Sequence, residues 1–187
     1  MKKIIKPNQK SNQTKKSQVT HMFNEISKTY DIINRIITLG IDSVWRRKVY
    51  EIIKKYNHEY VLDIATGTCD LIIELSRLKT KQIIGIDISP GMLEIGKEKI
   101  NKNGLSKVIN LQLGDSENLK FEDEKFDVVT VAFGLRNFEN LEKALIEIKR
   151  VIKPKGILVI LETSIPKNKF GAILATAPPV RPPADPP

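Results

Sequence analysis

The residues with the most chemical content are acids placed at the ends of short apolar runs. Asp63 lies within "VLDIATGTCD" (61–70), Asp87 ends "QIIGID", and Asp115 with Ser116 follows "NLQLG". A turn after such a run is either an ordinary strand-to-helix connection or a nucleotide-cofactor loop. A dinucleotide loop wants a G-x-G-x-x-G pattern, because the pyrophosphate approaches backbone and a helix N-terminus. Here the three positions are Ala65, Gly67 and Asp70, and a carboxylate in the third place repels phosphate. The same acids complement a cofactor that carries a sulfonium and an ammonium. The spacing therefore favours S-adenosylmethionine, with Asp63 and Gly67 at the first turn. Asp87, at the end of the second run, is placed to accept the ribose hydroxyls. Asp115 and Ser116 are placed to bond an adenine amine and ring nitrogen.

These acids need elements to hold them. Short β-branched runs at Val61–Ala65, Ile83–Ile88, Val108–Leu113, Phe126–Phe133 and Ile157–Leu161 alternate with helix-like segments. One such segment opens with Ser89–Pro90, a cap followed by proline at the first helical position. Another places Leu141, Ala144, Leu145, Ile148, Val151 and Ile152 at helical spacing and stops at "KPKG". The alternation predicts an α/β domain: a Rossmann-like parallel sheet with helices on both faces. Two amphipathic segments precede the first strand. Val19, Met22, Phe23, Ile26, Tyr30, Ile33 and Ile37 line one helical face, and Trp45, Val49, Ile52 and Tyr56 a second. They are expected to form a lid over the carboxyl ends of the strands, where ligands bind in open α/β sheets.

Composition bounds the rest. The chain has 187 residues and a formal net charge of +9, enough length for one domain with a real core. Six of the nine excess charges are Lys2, Lys3, Lys6, Lys10, Lys15 and Lys16. Residues 1–18 therefore read as a basic disordered arm, with weak attraction to anionic lipid as a further role. Nucleic acid is not expected as a partner, because no aromatic residues interleave these lysines for base stacking. One cysteine excludes an internal disulfide, and no Cys/His cluster has metal-site spacing, so no metal is expected. No apolar run approaches the roughly 18 residues of a membrane span, and the N-terminus lacks a signal peptide's apolar stretch. A cytoplasmic protein is expected. Six of the ten prolines fall in the last ten residues, so 167–187 reads as a disordered, proline-rich tail.

The stretches "MFNEISKTYDIINRIITLGIDSVWRRK", "VLDIATGT", "GIDISPGMLEIGKEK" and "FDVVTVAFGLRNFENLEKALIEIKRVIKPKGILVILETSIP" resemble the menaquinone/ubiquinone biosynthesis C-methyltransferases, the UbiE/MenG family. The resemblance runs from about Val19 to Pro166, with "GLRN" and the following helix its most specific part. It implies N-terminal helices over 19–58 and a cofactor-binding core over 59–166. It also implies ring C-methylation of demethylmenaquinol, or of the related ubiquinone precursor, with S-adenosylmethionine as donor and a polyprenyl quinol as partner. Carried onto this chain, cofactor contacts fall on Thr68, Asp87, Asp115 and Ser116. Ala132 stands where some members have a small polar contact residue. Arg136 is expected to stabilise a developing quinol oxyanion, with Asn137 orienting it, although a bridge from Arg136 to an acid is the alternative. Tyr30, Asp31 and Asn34 are expected along the quinol pocket, and His21 is a weaker candidate base. A lipid-borne substrate implies peripheral contact with the inner face of a membrane.

Two departures qualify the resemblance. The family has glycine where this chain has Cys69. If the backbone there is left-handed, strain follows, and the thiol is expected to crowd the methionine end of the cofactor. The family also continues past "LETSIP" with closing strands, whereas this chain carries its proline-rich tail. A C-terminally truncated enzyme with an uncovered sheet edge is expected. The alternatives are an impaired cofactor-binding module and a methyltransferase for another acceptor, RNA included.

Overall fold

Strands apolar along their whole length must be covered on both faces, and the fold provides that cover. The computed structural model describes residues 6–162. Helices α1 (Lys15–Ile37) and α2 (Ile41–Ile53) lead into β1 (Tyr60–Ile64), α3 (Asp70–Leu75), β2 (Gln82–Asp87), α4 (Pro90–Lys102) and β3 (Ile109–Leu113). β4 (Phe126–Ala132), a 3₁₀ turn at Leu135–Asn137, α5 (Leu141–Val151) and β5 (Ile152–Leu161) follow. The strands form one parallel sheet in the order β3-β2-β1-β4-β5. The chain leaves β1 towards β2 and β3, then returns to place β4 on its other side. That reversal opens a crevice at the carboxyl ends of β1 and β4.

Successive residues of each strand enter opposite cores. Val61, Ile83, Val128 and Val159 join Val49, Ile53, Ile72, Leu75 and Ile100 from α2, α3 and α4. Leu62, Ile64, Ile84, Ile86, Val129 and Val131 join Ile148 and Val151 from α5. Helix starts are capped as their residue types predict. Ser89 Oγ accepts from the Met92 amide at 3.2 Å and Asn140 Oδ1 from that of Lys143 at 3.0 Å.

Several expectations need correction. The basic arm does not extend to residue 18, because α1 begins at Lys15, capped by Thr14, whose hydroxyl accepts from the Ser17 amide at 3.1 Å. Tertiary partners for Lys15 and Lys16 supply what composition could not show. Ile33, Ile37 and Tyr56 do not reach the core but are exposed. Helix α5 ends at Val151, just before "KPKG", and these four residues form an irregular stretch of β5 whose register against β4 shifts between Phe126 and Val128. Lys155, at φ 68°, absorbs that irregularity. The proline-rich tail lies outside the described residues, as do Lys2 and Lys3.

Candidate cofactor and substrate site

The turn after β1 is left-handed at three residues. Ala65 (φ 57°), Gly67 (φ 55°) and Cys69 (φ 73°) all lie in the region where only glycine is free of a Cβ penalty. The loop keeps this shape because it is tied to its neighbours. The Thr66 amide donates to Ile86 O at 3.0 Å, and the Gly67 amide donates to Asp87 Oδ2 at 2.8 Å. Asp87 Oδ1 accepts from the Ser89 amide at 2.8 Å, so one carboxylate organises both turns. Its pKa is raised by burial, against hydrogen bonds from the Ser89, Gly67 and Ile88 amides. Asp63, inside β1, is buried and accepts from Thr130 Oγ1 at 2.5 Å. Burial pushes its pKa up to about 6 despite the hydrogen bond from Thr130, and the Asp87 charge adds to the rise.

Two cavities meet over this loop and share Tyr30, Ala65, Gly67, Ala132 and Phe133. The first has apolar walls from Val19, Ile88, Met92 and Phe138, with Asp87, Asp115, Ser116 and Glu117 supplying polar groups. The second is lined by Asp63, Thr66, Thr68, Asn34, Thr38, Trp45, Arg46 and Arg136. Trp45, on this wall, has a buried Nε1–H without a hydrogen-bond partner. An apolar slot ending in an Asp–Ser pair suits a purine ring. Asp87 retains lone pairs for a diol, and Asp63 can face an ammonium. The residues present therefore fit S-adenosylmethionine.

Helix α1 roofs both cavities and is fastened at three heights. At its start, Lys16 Nζ pairs with Asp115 at 2.6 Å and Glu117 at 3.3 Å. Burial opposes that charge, but the two acids outweigh it and raise its pKa. Lys15 Nζ donates to Arg136 O at 2.7 Å and Phe138 O at 2.8 Å. Midway, Asn24 Oδ1 accepts from Ser89 Oγ at 2.7 Å and the Gly91 amide at 3.0 Å. Further on, Asp31 accepts from Thr68 Oγ1 at 2.6 Å and pairs with Lys99 at 2.5 Å, and Lys99 also reaches Asp70 at 2.6 Å.

The structure gathers most of the expected residues and separates some. Gly67, Asp87, Asp115, Ser116 and Asn137 line the first cavity, and Tyr30 lines both. Asp63, Thr68, Asn34 and Arg136 line the second. Arg136 pairs with Glu162 and lines the second cavity, whereas Asn137 lines the first. Asp31 lines neither of these two cavities; it is engaged by Thr68 and Lys99. His21 is exposed beside Glu25 at 3.4 Å. Cys69 does have the left-handed backbone, but its thiol does not crowd the cofactor. It is fully buried in the core against Gly96 of α4, where an added Cβ would overlap its Sγ. Burial pushes that thiol up to about 12. Sequence reasoning missed Lys16, Asn24, Lys99 and Glu117. Their side-chain partners lie 22 to 101 positions away, so no local pattern marks them.

Sheet order, crevice and acid-lined cavities define a Rossmann-like methyltransferase domain. Comparisons with known proteins narrow the class: the chain belongs to the ubiE/COQ5 methyltransferase family, whose model matches residues 9–173. It is 48% identical over 158 residues to a demethylmenaquinone methyltransferase of Bacteroides fragilis, covering 83% of this chain and 64% of that protein. It is 39% identical over 155 residues to the Geotalea daltonii ubiquinone/menaquinone biosynthesis C-methyltransferase UbiE, covering 82% of this chain and 66% of that protein. Among solved structures, a SAM-dependent methyltransferase from Aquifex aeolicus superposes with a TM-score of 0.57 at 26% identity, covering 65% of this chain and 66% of the other. The chain thus spans a little under two thirds of the curated relatives' length.

Proposed function

We propose that this chain binds S-adenosylmethionine and methylates a ring carbon of a polyprenyl quinol, demethylmenaquinol or the corresponding benzoquinol. The observation that carries the reading is the set of acids Asp63, Asp87 and Asp115 at the ends of β1, β2 and β3, around joined cavities, in a chain of this family. The adenosyl part occupies the first cavity, with Asp87 at the ribose and Asp115 with Ser116 at the base. The amino-acid part reaches Asp63 and Thr68, and the quinol ring lies in the second cavity near Tyr30, Asn34 and Trp45. When bound, the cofactor supplies a methyl group already activated by its sulfonium. The protein therefore has mainly to position the ring and exclude water.

Arg136 holds the oxyanion left when a quinol hydroxyl loses its proton to solvent, and Glu162 aims the guanidinium. The electron-rich ring carbon would take the methyl group as the S–CH3 bond breaks, with S-adenosylhomocysteine as the leaving group, and its own proton would pass to water as the ring regains aromaticity. Residues 59–166 are the cofactor core and 19–58 the roof, with the protein at the inner face of the membrane. The test is transfer of labelled methyl from S-adenosylmethionine to a short-chain demethylmenaquinol. Arg136→Gln should lower kcat by about 10²-fold or more, the scale of one lost oxyanion donor, with S-adenosylhomocysteine affinity within about twofold of the parent. Label appearing in RNA and not in quinol would overturn the reading. So would failure of the parent protein to bind S-adenosylhomocysteine.

A further inference from the structure

Where α1 meets α2 the chain turns outward a ridge of aliphatic side chains: Ile32, Ile33, Ile36, Ile37, Leu39, Ile41 and Val44 are all exposed. The tip is the most exposed part, with Ile37 at 74% and Leu39 at 86%. Scattered surface leucines are ordinary, but a contiguous patch of this kind marks an interaction surface. The tip is also a strained one. Leu39 (φ 51°) and Gly40 (φ 77°) are both left-handed, and a non-glycine residue in that region is strained. The strain holds a leucine in water, where it gains nothing from burial.

Charge around the ridge is mostly basic. Lys28, Arg35, Arg47 and Lys48 stand exposed along its border. Arg47 is shared with Glu51 at 3.6 Å and Glu74 at 3.9 Å. Of the nearest acids, Asp42 is buried and held by Arg46 at 2.8 Å and Thr38 at 3.0 Å, and Asp31, one-third exposed beside Ile32 and Ile36, is paired with Lys99 and Thr68. An apolar ridge with a basic border fits the interface of an anionic bilayer, where aliphatic chains enter the acyl boundary and cations meet headgroups. The ridge is continuous with the second cavity, because Ile37 belongs to both and lines the cavity beside Thr38, Asn34 and Tyr30.

We infer that the Ile32–Val44 ridge docks this protein on an anionic lipid bilayer and sets the mouth of the second cavity against it. A ring carried on a polyprenyl chain then enters the cavity while its tail stays in lipid. The inference rests on the quinol reading for its substrate, although vesicle binding can be measured without any substrate.

The full chain should co-sediment with vesicles of phosphatidylglycerol and phosphatidylcholine. An Ile36→Asn/Leu39→Asn/Val44→Asn variant should lose at least about tenfold in partitioning. An Arg35→Gln/Lys48→Gln variant should lose several-fold on anionic vesicles and little on pure phosphatidylcholine. S-adenosylhomocysteine affinity, measured in the same samples, should be unchanged in both, which shows that the fold is intact. Loss of that affinity in the parent protein would count against the proposed function and leave the docking result standing. Three outcomes would overturn the docking inference. They are no vesicle binding by the parent, equal binding by the asparagine variant, and a concentration-dependent dimer that the asparagine variant abolishes.

Discussion

Asp63 carries the sharpest pH consequence at the scale of single residues. Held at about 6 by burial, it loses its charge in a range where most carboxylates keep theirs. Binding of a cofactor cation favours the ionised form. Affinity for S-adenosylmethionine should therefore fall as pH drops from about 7.5 to about 5, and Asp63→Asn should bind more weakly at the upper end with a flattened profile. Calorimetric titration across that range checks this, and a flat parent profile would refute it. Without ligand the sign reverses. A carboxyl at about 6 in the fold, against 3.8 when free, binds its proton more tightly in the native state. The apo protein thus gains stability as pH falls from about 6 towards about 4 and loses that gain as pH rises through about 6.

Cys69 and Gly96 form a second residue-scale argument, because the thiol occupies the space that a Cβ at Gly96 would take. Gly96→Ala should destabilise by about 1–3 kcal/mol through overpacking. In a Cys69→Gly background the same change should cost under about 1 kcal/mol, since the thiol that a Cβ at Gly96 would overlap is gone. Denaturant unfolding of the four proteins gives the coupling. Additive effects would show that the contact is slack. Cys69→Gly itself combines relief of backbone strain with loss of a buried side chain, so it tests stability more directly than cofactor affinity.

Among elements, α1 matters most, because its contacts with the sheet-end loops are largely polar and charged. Lys99 is the joint that links Asp31 of α1 to Asp70 of α3, and Asp31 in turn holds Thr68 in the cofactor loop. Lys99→Met leaves two acids facing each other without their shared cation. Amides of residues 28–37 should then exchange about tenfold faster or more, while those of β1 and β4 keep their protection. Unchanged exchange in 28–37 would mean that apolar contacts alone hold the roof. Residue spacing marks α1 and α2 as amphipathic helices. It does not mark throughout which stripe is covered, since Ile33 and Ile37 keep helical spacing yet stand in water. Spacing reports that a face is apolar, and only the neighbouring elements decide whether anything packs on it.

For the whole molecule, ligand linkage is the check on assembly. A hundredfold excess of S-adenosylhomocysteine over its Kd should add about 2.7 kcal/mol to unfolding, with α1 and the loop after β1 both gaining exchange protection. Protection confined to the loop would separate the roof from cofactor binding. What the chain alone determined was the alternation of strands and helices, the acids at the ends of its first three strands, and the rejection of a phosphate cofactor. These depend on residues close in sequence, where periodicity and charge act directly. Tertiary structure decided the rest: that Lys15 and Lys16 are fastened over the first cavity, that Arg136 meets Glu162, and that the Cys69 thiol points into the core. Each of these turns on a partner from a distant segment. Whether a lysine is a solvated charge or a clasp, and a thiol an obstruction or a core atom, is set by what the fold brings within a few ångströms.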